Sequence, residues 1–167
     1  MRVAIVGNSG SGKSTVARQL MTTHAIEGLD LDTVAWEPGK VAMMRSAESA
    51  AADVRTFCES RESWIVEGCY ASLVKETFDF DPELWVLDPG MEQCISNSRS
   101  RPWEPHKYAS KIDQDERLSF LIQWVTDYYT RDGDMSLSAH RELYENYGGR
   151  KRWIRSQPRP WSVDATR

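Results

Sequence analysis

The sequence holds no apolar run of membrane-spanning length, and its first, Val3-Ala4-Ile5-Val6, is too short for a signal-peptide core. A cytoplasmic protein with no membrane partner is expected. Cysteine is scarce: Cys58, Cys69 and Cys94 are odd in number and show no metal-like spacing. That excludes a disulfide framework and fits a reducing compartment. Positive charge is also short, with 21 Lys and Arg against 25 Asp and Glu and a net charge of −4. A nucleic acid is therefore not expected as the main partner, because neutralising phosphates needs a cationic surplus. Internal repeats and low-complexity stretches are absent too. The 167 residues, 40% hydrophobic and 28% charged, suffice for one globular domain with a genuine core.

Strand-like and helix-like segments alternate along the chain, which points to an α/β fold built on a parallel sheet. Strands are expected over residues 2–6, 26–31, 64–66, 84–87 and, at an edge, 152–155. Helices are expected over 13–24, around 47–59 after a Pro38-Gly39 break, and over 71–78, 91–100 and 137–147. The strongest amphipathic pattern is Leu118, Leu121, Ile122, Val125 and Tyr129, at i, i+3, i+4, i+7 and i+11. Residues 1–156 read as the domain and 157–167 as a Pro-containing tail. Most of the seven tryptophans are expected in the core or at its rim.

Between the first strand and first helix lies Gly7-Asn8-Ser9-Gly10-Ser11-Gly12-Lys13-Ser14-Thr15, a full match to G-x-x-x-x-G-K-[ST]. Each fixed position has a separate task. The glycines let the backbone curl into a nest of N–H groups around oxyanions. Lys13 would reach the outer phosphates of a nucleotide, and the Ser14 hydroxyl would coordinate Mg²⁺. The following helix adds its N-terminal amides and dipole. No Asn-Lys-x-Asp guanine motif occurs, so adenine or lax base choice is expected.

In an open α/β sheet, ligands gather at the carboxyl ends of the strands. The second strand ends in Asp30-Leu31-Asp32, the third in Glu67 and the fourth in Asp88. Glu67 stands where a carboxylate would hold Mg²⁺ through a water or orient an acceptor. Alternation would put Asp30 and Asp32 on one side of their strand, with Asp32 nearer the site and able to receive a substrate proton. Asp88, before Pro89, reads as a turn and N-cap residue. Phosphoryl transfer also needs cations that close over the moving group. Arg99 and Arg101 are the best candidates, with Lys107, Lys111 and Arg117 behind them, all in or beside a lid at about 99–112. His106 has no second ligand at suitable spacing and is not read as a metal ligand. Trp36, Lys40 and Tyr70 would shape the acceptor side.

The loop after the first strand, Leu29-Asp30-Leu31-Asp32-Thr33 and Trp64-Ile65-Val66-Glu67-Gly68-Cys69-Tyr70 together resemble the small P-loop kinases. Within them, the chain is similar to the adenylate-kinase-related proteins labelled FlaR-like or DNA topology modulation proteins, some loosely labelled shikimate kinases. The run Arg101-Pro102-Trp103-Glu104-Pro105-His106-Lys107-Tyr108 adds to that likeness, which covers about residues 1 to 150. The resemblance implies a five-stranded parallel sheet in the order 2-3-1-4-5, ATP with Mg²⁺, and γ-phosphoryl transfer to a small acceptor. It carries Gly12, Lys13 and Ser14 over, and with them the roles of Asp32, Glu67 and the lid arginines. Glu67-Gly68-Cys69-Tyr70 replaces the Asp-Gly-Phe-Pro-Arg of adenylate kinases, which argues against AMP as acceptor. The glycine triplet of shikimate kinases is absent as well, which argues against shikimate. A nucleotide-dependent regulatory or DNA-associated ATPase is the rival reading. It rests on the basic stretch Arg150, Lys151, Arg152, Arg155 and Arg159. Nothing in the sequence chooses between monomer and homodimer.

Overall fold

The computed structural model describes residues 1–37, 43–103 and 109–156. The Pro38-Gly39 break, Lys40, His106, Lys107 and the tail 157–167 lie outside them.

The strands are β1 (Arg2–Gly7), β2 (Glu27–Asp30), β3 (Trp64–Gly68), β4 (Glu83–Leu87) and β5 (Lys151–Ile154), of which β1, β3 and β4 are built on apolar runs. They form one parallel sheet in the order β2-β3-β1-β4-β5, the order the resemblance implied. The three central strands are buried almost throughout, whereas β2 and β5 at the edges are half-exposed. A strand covered on both faces reads as a continuous apolar run, and an edge strand does not.

The two sheet faces hold separate cores. Val3, Ile5, Ile65, Trp85 and Leu87 pack under Val16, Ala17 and Leu20 of α1 (Lys13–His24). On the other face, Ala4, Val6, Trp64, Val66, Leu84 and Val86 meet α3 (Ala47–Glu59), α4 (Ala71–Lys75) and α8 (Leu137–Asn146). Trp64 and Trp85 are in these cores, while Trp103 is exposed.

Four details depart from expectation. The chain leaves β2 at Asp30 and starts α2 (Asp32–Ala35), so strand alternation does not govern Asp32. Residues 71–78 split into α4 and a 3₁₀ turn, Phe78–Phe80. The amphipathic stretch is α7 (Leu118–Asp127), preceded by α6 (Lys111–Glu116); Val125 and Tyr128 are its buried anchors, and Tyr129 is only half-buried. The N-cap of α5 (Met91–Arg99) is Gly90 rather than Asp88, whose Oδ1 accepts from the Tyr129 hydroxyl at 3.1 Å.

Tyr128 reaches a fully buried histidine. His140 Nε2 lies 2.8 Å from the Cys69 carbonyl oxygen and Nδ1 lies 2.8 Å from the Tyr128 hydroxyl. A carbonyl can only accept, so Nε2 carries the proton and Nδ1 of the neutral ring accepts from Tyr128. Burial holds His140 neutral, lowering its pKa from 6.5 to about 4 against the hydrogen bond to Cys69. A histidine pKa depressed by folding gives stability that is complete above the unfolded value and lost as pH falls through the folded one. Chemical denaturation from about pH 7.5 to about pH 4.5 should therefore reveal a loss of about 2–3 kcal/mol assignable to this residue. His140→Gln should flatten that part of the slope; an unchanged slope would show that His140 titrates normally.

Candidate functional site

The glycine-rich loop joins β1 to α1, and its shape depends on Gly10 and Gly12, with φ of 76° and 94°. A side chain at Gly10 would also meet the Cys94 carbonyl and the Ser98 hydroxyl of α5, so the loop lies against that helix. Asn97 of α5 donates from Nδ2 to the Gly10 carbonyl oxygen at 2.8 Å. Asn8 donates from Nδ2 to the Val125 carbonyl oxygen of α7 at 2.9 Å. The loop is thus held from two outside helices.

Gly12 caps α1 without a side-chain hydrogen bond, and Val16 N is the amide that first bonds back, to Gly12 O at 3.0 Å. The amides before it have no partner within the helix. Asn8 Oδ1 and Ser11 Oγ are buried without a hydrogen-bond partner among the described residues. Uncapped amides, a positive helix end and the Ser11 hydroxyl, which has a proton to donate, together form a receptacle for an anion.

Lys13 closes this receptacle. Its side chain is buried, and Nζ donates to the Asn8 carbonyl oxygen at 2.9 Å. Burial disfavours the ammonium, but Cys69, Glu67 and Asp32 outweigh it and raise the pKa above the ordinary lysine value. Glu67 is in the opposite position. Burial is the largest influence and raises its pKa, Asp30 and Asp32 add to the rise, and Lys13 and a hydrogen bond to Ser14 oppose it. The Ser14 hydroxyl therefore lies beside the Glu67 carboxylate, although their positions are far apart in sequence. An oxygen-only pair of this kind suits a hard divalent cation. Among the described residues, no cluster of three or more His, Cys, Asp or Glu is arranged to bind a metal by itself.

Asp32 sits near Lys13 and Glu67 because of a local turn. Asp30 Oδ1 accepts from the Asp32 amide at 2.9 Å, and Thr33 donates from Oγ1 to the Asp30 carbonyl oxygen at 2.6 Å. Asp30 makes the turn, and Asp32 is carried toward the loop. There the Tyr70 hydroxyl donates to Asp32 Oδ1 at 2.8 Å, and Trp36 Nε1 donates to Tyr70 Oη at 2.7 Å.

The lid candidates divide. Arg99, Arg101 and Lys111 line one small cleft with Ser98, whose helix touches Gly10. Lys111 pairs with Asp115, and Arg117 Nε lies 3.0 Å from Asp113 Oδ1, so both are engaged along α6. Lys107 lies outside the described residues. In the basic stretch, Lys151 Nζ donates to the carbonyl oxygens of Tyr144 and Tyr147 at 2.7 Å each, and Arg152 pairs with Glu83. These two cations fasten β5 to the body of the domain.

Sequence reasoning missed Cys69 as a neighbour of Lys13, and it missed the His140–Tyr128 pair that holds the backbone there. No spacing signal marks either, since each reaches the site from a different element.

No protein-family model matches the chain, and no curated protein matches it. Solved structures do. A gluconokinase from Sinorhizobium meliloti is 14% identical with a TM-score of 0.57, covering 95% of this chain and 84% of its own. A sugar kinase from Janibacter sp. is 15% identical with a TM-score of 0.52, covering 95% of this chain and 86% of its own. At such identities the likeness is one of fold. The chain has the P-loop kinase fold.

The loop's backbone is the feature most sensitive to a single atom. Gly10→Ala should destabilise the domain by about 2–4 kcal/mol, combining left-handed strain with a clash against α5. Urea denaturation checks this, and an unchanged midpoint would contradict the described packing.

Proposed function

We propose that the chain is an ATP-dependent phosphotransferase that moves the γ-phosphoryl group of Mg-ATP to a hydroxyl of a small acceptor. The observation that carries this reading is the buried Lys13 ammonium at an uncapped helix end, surrounded by Glu67, Asp32 and Cys69. A buried cation and helix amides without an internal partner are groups that an oxyanion satisfies.

In this reading the amides of residues 7–15 and Lys13 hold the β- and γ-phosphates. Ser14 and Glu67 hold Mg²⁺, which when bound supplies charge neutralisation across the phosphates. Asp32 orients the acceptor hydroxyl and receives its proton as the acceptor oxygen bonds to phosphorus. The bond to the bridging oxygen breaks and ADP leaves. Arg99 and Arg101 neutralise the charge that develops on the moving group. A nucleotide-, nucleoside- or sugar/cyclitol-like acceptor fits. The sugar-like class gains support from the names of the two fold relatives.

We place the activity in residues 1–156, with 157–167 as a tail, in a cytoplasmic monomer or homodimer close to the FlaR-like group. The rival DNA-associated reading is weakened by the structural engagement of Lys151 and Arg152.

Labelled Mg-ATP offered with a panel of sugars, cyclitols, nucleosides and nucleotides should yield a phosphorylated product. Lys13→Ala should lower turnover by about 100-fold or more and weaken nucleotide binding in calorimetry. Asp32→Asn should lower kcat by about 100-fold and leave nucleotide binding intact. Normal binding and turnover in Lys13→Ala would overturn the reading.

A further inference from the structure

The acceptor side holds three residues joined in one direction. Trp36 follows α2 and pairs its backbone with Met44 in an isolated antiparallel bridge. Its indole N–H donates to Tyr70 Oη, and the Tyr70 hydroxyl donates to Asp32 Oδ1. An indole N–H has no acceptor capacity and a carboxylate oxygen has no proton to give, so the chain can run only from Trp36 to Asp32. With Trp36 already donating to it, the phenol proton points at the carboxylate.

Tyr70 itself cannot rearrange easily. It is 3% exposed and stands between β3 and α4 at the turn that His140 fastens through the Cys69 carbonyl. Burial and the adjacent Asp32 push its pKa well above the ordinary tyrosine value, so it is a neutral donor throughout the working pH range. Asp32 begins a helix of only four residues, directly after the turn made by Asp30. A hydrogen bond from a locked donor selects one carboxylate orientation, and reactions of this class depend on such placement.

We propose that Tyr70 is a positioning residue that aims the Asp32 carboxylate at the acceptor hydroxyl, and that Trp36 acts only by orienting Tyr70. This rests on the phosphotransfer reading above. With no acceptor present, water takes the place of the hydroxyl, so the test needs no knowledge of the natural acceptor.

The full chain is assayed for hydrolysis of labelled Mg-ATP and by NMR of protein labelled with ¹⁵N-tryptophan. Tyr70→Phe should lower kcat for hydrolysis by about tenfold, and Trp36→Phe by about threefold, with KM for ATP unchanged in both. In an Asp32→Asn background, adding Tyr70→Phe should cause no further loss, because residues acting through one another are not additive. An equal loss in that background, or a rise in KM for ATP matching the fall in kcat, would overturn the proposal. In the spectrum, Trp36→Phe identifies one indole resonance. Tyr70→Phe should shift that resonance and speed its hydrogen exchange; a resonance that does not respond would also overturn the proposal. If the native chain hydrolyses no ATP while the indole responds, the phosphotransfer reading is what fails. If hydrolysis proceeds normally in Tyr70→Phe, the positioning role alone fails.

Discussion

A single buried ammonium organises this domain. Lys13 is placed by the turn from β1 into α1, where water cannot compensate its charge. A charge in that position persists only if partners are built around it. Asn8 supplies a carbonyl, and Glu67 and Asp32 supply the electrostatic balance. Those two carboxylates come from β3 and from the start of α2. The requirement to keep one cation charged therefore ties together the carboxyl ends of three neighbouring strands. It also explains why Glu67, buried among other acids, is tolerable: each of the two groups is the other's counter-ion, and the Ser14 hydroxyl adds a hydrogen bond.

A second layer holds this arrangement still. The turn from Gly68 to Tyr70 carries both Cys69 and the hydroxyl that meets Asp32, and it is fastened from α8 by His140. His140 is in turn held by Tyr128, just beyond α7. Asn8 reaches the Val125 carbonyl in α7 as well, so the loop and the β3 turn share an outside support. Helices 7 and 8 thereby act on the site without contributing a charged group to it. Among their buried residues Val125, Leu137 and Leu143 are apolar. The polar one, His140, has both ring nitrogens hydrogen-bonded, the condition under which such a group can be buried at little cost.

The parallel α/β sheet, the glycine-rich loop and the convergence of acidic residues at the strand ends were legible in the sequence, whereas the strand order came only from the family resemblance. Central strands of a parallel sheet are apolar throughout, and a loop curling around an anion needs glycine at fixed positions. Glu67 was legible for the same reason, since a carboxylate closing a run such as Trp64-Ile65-Val66 stands out. Asp32 was picked out as well, but for a reason that does not hold. It reaches the site through the Asp30 turn and not by alternation along a strand. Arg99 and Arg101 were proposed from charge near prolines, and the cleft they share with Lys111 was not legible.

Local chemistry alone determined where glycines, a lysine and free helix amides come together, because the loop, its lysine and the following helix are contiguous. Only the tertiary structure decided which groups answer that lysine. The meeting of Ser14 with Glu67, the line from Trp36 through Tyr70 to Asp32, and the hold of His140 on Cys69 all join separate elements. Hydrogen bonds and charge pairs act over a few ångströms in space, while the residues that form them stand tens of positions apart in the chain. Periodicity and spacing carry no record of such meetings.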